Sequence, residues 1–560
     1  MGYQAPVDKM RFLLDRVLGA GRLAATARFA EATPELLAVV LGEAARLAED
    51  VMAPLRRAGD LEPARLENGV VRTSPGFAAA YRAIAEGGWI GMAADPQHGG
   101  QCLPATWLAC VNEMMAGANL ALSLCPLLSA GQIDALSAHA DAALQALYLP
   151  RLVAGDWTGT MNLTEPQAGS DVGALRARAE PRGDGTYAVS GEKIFISWGD
   201  HDLAENVCHL VLARLPGAPE GTRGVSLFLV PKFLPDAEGR PGVANGVRVV
   251  SLEHKLGLHG SPTCVMAFER ATGWILGEPG AGMAAMFTMM NNARLGVGIE
   301  GLSQAEAALQ AARAFAAERR QGRTTMPGVE TILGHADVRR MLGTMEALTA
   351  TARAICLDCA LSLDLAEAGE GPEWAARAAF LTPIAKAFGT DTGCAVAELA
   401  VQVHGGMGYI EETGVAQYYR DVRVTAIYEG TNGIQALDLV GRKLADGGAA
   451  ARALIAEIGA SAEAGASAEL AGTADRLAAA TDWMLAAAAR DRAAGAVPYL
   501  RAFALTLGGH YLLRTALAEG DEGAGAALAA FHLRRLLPEA RALCEAACEG
   551  AAGLEALDLG

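Results

Sequence analysis

The chain has 560 residues, enough for three or four domains at roughly 150 residues each. Its residues are 52% hydrophobic and 19% charged, which excludes a disordered chain and predicts large buried cores. With 46 Lys and Arg against 63 Asp and Glu, the net charge of −17 argues against a nucleic-acid partner or an anionic membrane surface.

Read from the N-terminus, the first residues lack the basic start and apolar run of a secretory signal. No Ser or Thr stands at position 6 to support myristoylation of Gly2, so a cytoplasmic protein is expected. Residues 1–39 read as an extension and residues 40–157 as a helical domain, with apolar residues at three- and four-residue intervals over Leu36–Arg57 and Phe77–Glu86. The uncharged stretch Met114–Ile133 contains Asn119, Ser123, Pro126 and Ser129, which predicts a buried helix and no transmembrane segment.

From Thr158 the pattern changes. Short β-branched or alternating runs (Tyr187–Val189, Lys193–Ser197, Cys208–Leu215, Gly224–Val230, Thr263–Phe268) are separated by Gly, Pro and Asp turns. Residues 158–276 therefore read as a small antiparallel barrel or sandwich. Helix returns over Gly282–Arg320, Asp337–Ala368 and Glu373–His404, making residues 277–445 a helical bundle. Residues 446–560 read as an additional Ala-rich helical domain, with breaks near Gly459–Gly465, Gly495–Pro498 and Gly520–Gly525. The expected fold is thus multidomain and mainly α with a central β domain.

Several generic motifs lose their meaning in this context. Gly296-Val297-Gly298-Ile299-Glu300-Gly301 has the dinucleotide-binding spacing, but a helical pattern precedes it and no parallel β-α-β frame surrounds it. Small residues for close helix packing explain it better. Cys356 and Cys359 fall in an unbroken helical pattern and read as packed thiols; ten cysteines with no paired spacing suggest neither a disulfide framework nor a metal site.

Three polar, Gly-rich segments remain: Met161–Val172, Gln402–Tyr409 and Ala426–Gln435. The last sets Glu429 after an apolar run and directly before Gly430. A buried carboxyl there would have a raised pKa and suit a general base near neutrality, although Glu429 alone also reads as an exposed helix-cap residue.

Taken together, the ordered strings Thr164-Glu165-Pro166 to Gly169-Ser170-Asp171, Lys193–Ser197, Asn291–Arg294, Glu318-Arg319, Gln402–Gly408 and Tyr428–Thr431 resemble the acyl-CoA dehydrogenase family over about residues 40–445. His254–Cys264, Glu429–Leu439 and the C-terminal extension are most similar to its long bacterial 3-methylmercaptopropionyl-CoA dehydrogenase branch. The resemblance implies a helical domain, a small β-barrel, a four-helix bundle and an extra helical domain. It further implies FAD-dependent oxidation of an acyl-CoA to the trans-2-enoyl-CoA, with Glu429 taking the α-proton while hydride passes to flavin N5.

Residue by residue, the same likeness assigns FAD contacts to Met161, Leu163, Thr164, Gly169, Ser170, Phe195, Ser197 and Thr431. It assigns Arg319, Gln402, Gly405 and Gly406 to the FAD of a neighbouring subunit, and Ser170, Arg294 and Gly430 to substrate. The implied partners are acyl-CoA, an electron-transfer flavoprotein and a second copy of the chain, as a homodimer or dimer of dimers. Plainer readings stay open for some of these: Phe195 as barrel core, Arg319 paired with Glu318 or Glu306, and Gly405-Gly406 as a helix stop. Gly433 and Asn291 depart from common family choices and blur which acyl chain is accepted.

Two other functions share this fold. An acyl-CoA oxidase would use the same base with O2 as acceptor. A DNA-associated flavoprotein would need a basic extension, whereas residues 446–560 hold nine Arg and no Lys against fifteen Asp and Glu.

Overall fold

The computed structural model describes residues 2–520 and 523–559; at Asn291 and Asn292 it describes the backbone alone. The chain forms two compact units, one of residues 46–103 and 118–293, the other of 1–45, 104–117 and 294–560.

In the first unit, the Phe77–Glu86 helix forms where its periodicity predicts it. Phe77, Ala80, Tyr81 and Ile84 make one buried stripe, and the Tyr81 hydroxyl donates to the Gly155 carbonyl at 3.0 Å. The helix Ala142–Ala154 is capped by Asp141, whose carboxylate accepts the Leu144 N–H at 2.9 Å, and stops at Gly155 with φ 77°.

The β domain that follows is a closed ring. Arg178–Pro181 pairs with Tyr187–Ser197, which pairs with Thr263–Leu276, then Val225–Pro231, then Asn206–Arg214, which returns to Arg178–Pro181. Val189, Val211, Phe228, Val230 and Met266 fill its interior. Two details differ from the sequence expectation. Tyr187–Val189 and Lys193–Ser197 are one strand bent at Gly191, where φ is 149° and a Cβ would lie 2.8 Å from the Ala177 Cβ. The strand Trp157–Asn162 lies parallel to Asn206–Arg214, so the sheet is not wholly antiparallel.

The second unit is helical. Gly282–Glu318 enters it at Arg294 and packs against Pro372–His404 through glycines. A Cβ on Gly298 would lie 2.5 Å from the Ala385 carbonyl oxygen, and one on Gly301 2.4 Å from that of Gly389. The glycine string therefore serves helix packing. Between neighbouring helices, Arg353 is buried with Glu113 at 2.6 Å and Glu306 at 2.7 Å. The two carboxylates and the bonds to them outweigh the burial that would lower its pKa and hold the guanidinium charged.

The C-terminal helices join this core. Phe503 meets Phe380 edge-on at 5.0 Å, and Arg377 donates to Asp358 at 2.6 Å and to Glu457 at 2.6 Å, while the Tyr511 hydroxyl also donates to Asp358. The expected break near Gly459–Gly465 falls at its far end: Ala449–Ala464 runs through Gly459 and stops at Gly465. The break expected near Gly495–Pro498 falls at Gly495, between Ala489–Ala494 and Ala496–Glu519, and the second helix takes Pro498 into its first turn, where no N–H is needed. Residues 521 and 522 of the third expected break lie outside the described residues.

The Ala105–His139 segment is helical apart from Asn119, whose φ of −157° interrupts it and whose Oδ1 accepts the Leu122 N–H at 3.2 Å. It is long and apolar enough to cross a bilayer, yet 78% of its most apolar window is buried inside the protein.

Candidate active site

Glu429 stands on a short irregular link between the 3-10 turn Arg423–Ala426 and the helix Asn432–Asp438. Its φ is 55°, a left-handed conformation that a non-glycine residue adopts only when its surroundings over-determine it. Those surroundings are visible. Gly430 continues the turn at φ 81°, and the Gln435 amide donates to the carbonyls of Glu429 at 3.1 Å and Gly430 at 3.3 Å.

Thr431 caps the next helix by accepting the Ile434 N–H at 3.4 Å. Asn432 is sewn into the neighbouring helix, accepting from Lys386 Nζ at 2.9 Å and donating to Asp391 at 2.7 Å.

The Glu429 side chain is partly buried, and among the described residues its carboxyl has no hydrogen-bond or ion-pair partner. Burial pushes its pKa up, Arg294 and Lys386 pull it down, and the balance is about 7. Both cations are themselves shifted. Burial lowers Lys386 to about 8 against the pull of Glu429, Asp391 and Glu300. It also lowers Arg294, which is 5% exposed and pairs with Asp438 at 3.3 Å. The Glu429 N–H meets no acceptor among the described residues. Ile427, in the apolar run before Glu429, is 53% exposed.

Sequence reasoning missed Glu300. It is 2% exposed, its Oε2 receives the Tyr428 hydroxyl, and its Oε1 has no partner among the described residues. Its only signal in the sequence was a charge inside a small-residue helix.

The barrel unit carries its own constellation. The loop after Trp157–Asn162 is tied by Glu165, whose carboxylate accepts Lys193 Nζ at 2.9 Å, the Arg176 N–H at 2.7 Å and the Ala177 N–H at 2.9 Å. Burial pushes the Glu165 pKa up, but Lys193 and the two amides outweigh it and hold the carboxylate charged. Lys193 Nζ also donates to the Leu163 carbonyl, and the Ile194 N–H to that of Thr164.

Met161, Leu163 and Thr164 are partly exposed along this loop, with Gly169 and Ser170 exposed at its end. Phe195 is not barrel core: with φ 60° it turns outward and is 60% exposed, while its strand neighbour Ser197 is partly exposed.

A third group lies in the helical unit, where Phe315 stacks on His404 at 4.3 Å and brings two helix ends together. Arg319, Gln402, Gly405 and Gly406 are all exposed there. Arg319 donates to Gln321 at 3.3 Å, and Glu306 is committed to Arg353 and Lys9. Gly405 has φ 59°, and a Cβ on Gly405 or Gly406 would meet nothing within 4 Å. Beside them Met407, Tyr409 and Ile410 are 48%, 88% and 44% exposed. A cavity of about 1490 Å³ in the same unit is lined by other residues, among them Phe12, Leu342 and Phe531.

Comparison with known proteins decides the family. The chain is 46% identical over 522 residues, 89% of its length and 88% of the other's, to a 3-methylmercaptopropionyl-CoA dehydrogenase of Ruegeria pomeroyi. It belongs to the acyl-CoA dehydrogenase family.

The family's N-terminal, middle and C-terminal domains match residues 40–156, 160–271 and 280–445, and an acetyl-CoA dehydrogenase C-terminal-like domain matches 449–558. A broad-specificity linear acyl-CoA dehydrogenase of Mycobacterium tuberculosis is 35% identical over 79% of this chain and 75% of its own. Among solved structures, the butyryl-CoA dehydrogenase of Megasphaera elsdenii is 25% identical with a TM-score of 0.61, covering 72% of this chain and 97% of that one. Caenorhabditis elegans ACDH-11, solved with C11-CoA, is similar in fold over 98% of this chain and 91% of its own, with a TM-score of 0.77 at 20% identity.

This acyl-CoA dehydrogenase is therefore an oxidoreductase of CoA thioesters in a flavoprotein family, and its relatives do not favour the oxidase alternative.

Proposed function

We propose that this acyl-CoA dehydrogenase uses Glu429 as the base that removes the α-proton of a short acyl-CoA, with 3-methylmercaptopropionyl-CoA as the leading candidate. The observation that carries the assignment is the free, half-buried carboxyl on a strained backbone, tuned to about 7 between Arg294 and Lys386. An α-hydrogen beside a thioester is weakly acidic until the carbonyl is polarised, so a donor to the developing oxygen charge is required. The unpartnered Glu429 N–H is the donor this chain offers, and Gly430 lets substrate approach it closely. Arg294, fixed by Asp438, would steady the charge of the base and face the CoA side.

The residues fit an FAD cofactor, which would supply the hydride acceptor. On the barrel unit an ordered loop and an outward aromatic ring are available to a flat ring system: Met161, Leu163, Thr164, Gly169, Ser170, Phe195 and Ser197 would hold it there. Thr431 is proposed as a further FAD contact. Arg319, Gln402, Gly405 and Gly406, exposed beside Met407 and Tyr409, would serve a partner subunit in a homo-oligomer, since an Arg fork suits phosphate oxygens. Electron-transfer flavoprotein as acceptor, and a cytoplasmic setting in keeping with ten free thiols, complete the reading.

The decisive experiment is an anaerobic titration of the purified protein with 3-methylmercaptopropionyl-CoA and a series of straight-chain acyl-CoAs, following flavin bleaching. Glu429→Gln should retain flavin and lose about 10²–10⁴-fold in bleaching rate. An unchanged rate refutes the base assignment.

A further inference from the structure

Glu300 is a costly residue to bury. It lies on the Gly282–Glu318 helix at 2% exposure, and among the described residues no cation bonds to it: Lys386, whose charge acts on it, donates instead to Asn432. One carboxyl oxygen takes the Tyr428 hydroxyl; the other has no partner among the described residues. A buried carboxylate with an orphan oxygen is far more expensive ionised than neutral.

The groups that face it are Tyr428 and Glu429 from the base-bearing link and Lys386 from the Pro372–His404 helix. Asp391 acts on Lys386 from that same helix, and Arg294, on Glu300's own helix, acts on both Lys386 and Glu429. Two carboxyls thus share the field of one ammonium, and the more buried of them is the costlier to ionise. Burial and the charge of Glu429 push Glu300 up to about 8 against the opposing pull of Tyr428 and Lys386.

We propose that Glu300 is a positioning residue for Glu429: it anchors Tyr428, the residue before the base, and stays the neutral member of the pair so that the negative charge rests on Glu429. The inference rests on Glu429 being the base. The link is then pinned on both sides of its left-handed residue, by Glu300 through Tyr428 before it and by Gln435 after it. Glu300 itself exchanges no proton with substrate.

The test uses the flavin-loaded enzyme with 3-methylmercaptopropionyl-CoA and butanoyl-CoA. Beside the carboxyls that titrate near 7, Glu429 among them, infrared pH-difference spectra of the parent should show a distinct protonated-carboxyl band, that of Glu300, which vanishes as pH rises through about 8. The band should be missing in Glu300→Gln and present in Glu429→Gln. Glu300→Gln, which keeps a hydrogen-bonding group for Tyr428, should hold a kcat near the parent's. Glu300→Ala should lose about 10²-fold in kcat with KM little changed, the effect of a base displaced by about 1 Å.

A band that survives in Glu300→Gln, or a kcat in Glu300→Gln as low as in Glu300→Ala, overturns the proposal. Should Glu300→Ala fail to fold, the band in Glu300→Gln decides alone. A Glu429→Gln enzyme that still turns over refutes the base assignment without touching the band, so the two failures are separable.

Discussion

At residue scale the site runs on opposed pulls upon single side chains. Glu429 is pushed towards neutrality by burial and towards ionisation by Arg294 and Lys386, and a base must be ionised to act. kcat/KM should therefore fall as pH drops through about 7, and a pH–rate profile at saturating acceptor measures the midpoint. Removing the Lys386 charge without removing the burial raises that midpoint: Lys386→Met should move the acid limb to higher pH.

Lys193 and Glu165 work in the other sense, as a fully committed pair buried in the barrel unit, 0% and 4% exposed. Lys193→Met leaves the Glu165 carboxylate without its ammonium, at a cost of about 3–5 kcal/mol. Thermal unfolding and flavin retention should both decline. Glu429 stands out in the sequence only through the ordered family strings, since a carboxylate between an apolar run and a glycine reads equally as a helix cap. Glu300 does not stand out: one Glu in a helix reads as solvent-facing until the helix packed against it is known.

Among the elements, the long helices and the Phe77–Glu86 stripe were readable because their periodicity is local. The strand content was readable for the same reason, while the parallel pairing of Trp157–Asn162 with Asn206–Arg214 was not, because register is set by residues far apart in sequence. The run Asn206–Arg214 is buried at nearly every position, so alternation could not reveal its faces. The glycines of the Gly282–Glu318 helix were rightly read as packing residues, and their contacts allow a quantitative statement. Gly298→Ala sets a methyl 2.5 Å from a backbone oxygen that cannot rotate away. Overpacking of this kind costs about 1–3 kcal/mol, which a denaturant midpoint will show, and kcat should fall with it.

On the scale of the whole molecule, the last hundred residues are structural partners of the bundle. Phe503 meets Phe380, and Tyr511 and Glu457 complete the bonding of Asp358 and Arg377. Truncation after Asp446 would bare Phe380 and strip polar partners from a buried pair, so the shortened chain should aggregate or lose flavin on size-exclusion chromatography. An intact, soluble, flavin-loaded fragment would contradict that role.

The glycine crossing has a wider consequence. Ala385 and Gly389 touch Gly298 and Gly301 backbone to backbone, and Lys386 and Glu300 are the residues set between these contacts. With no side chain in the seam, no rotamer can absorb an error there. The spacing of the two backbones that carry Lys386 and Glu300 is thus inherited as a fixed gauge of the scaffold, and an evolving lineage would have to re-cut both helices at once to change it.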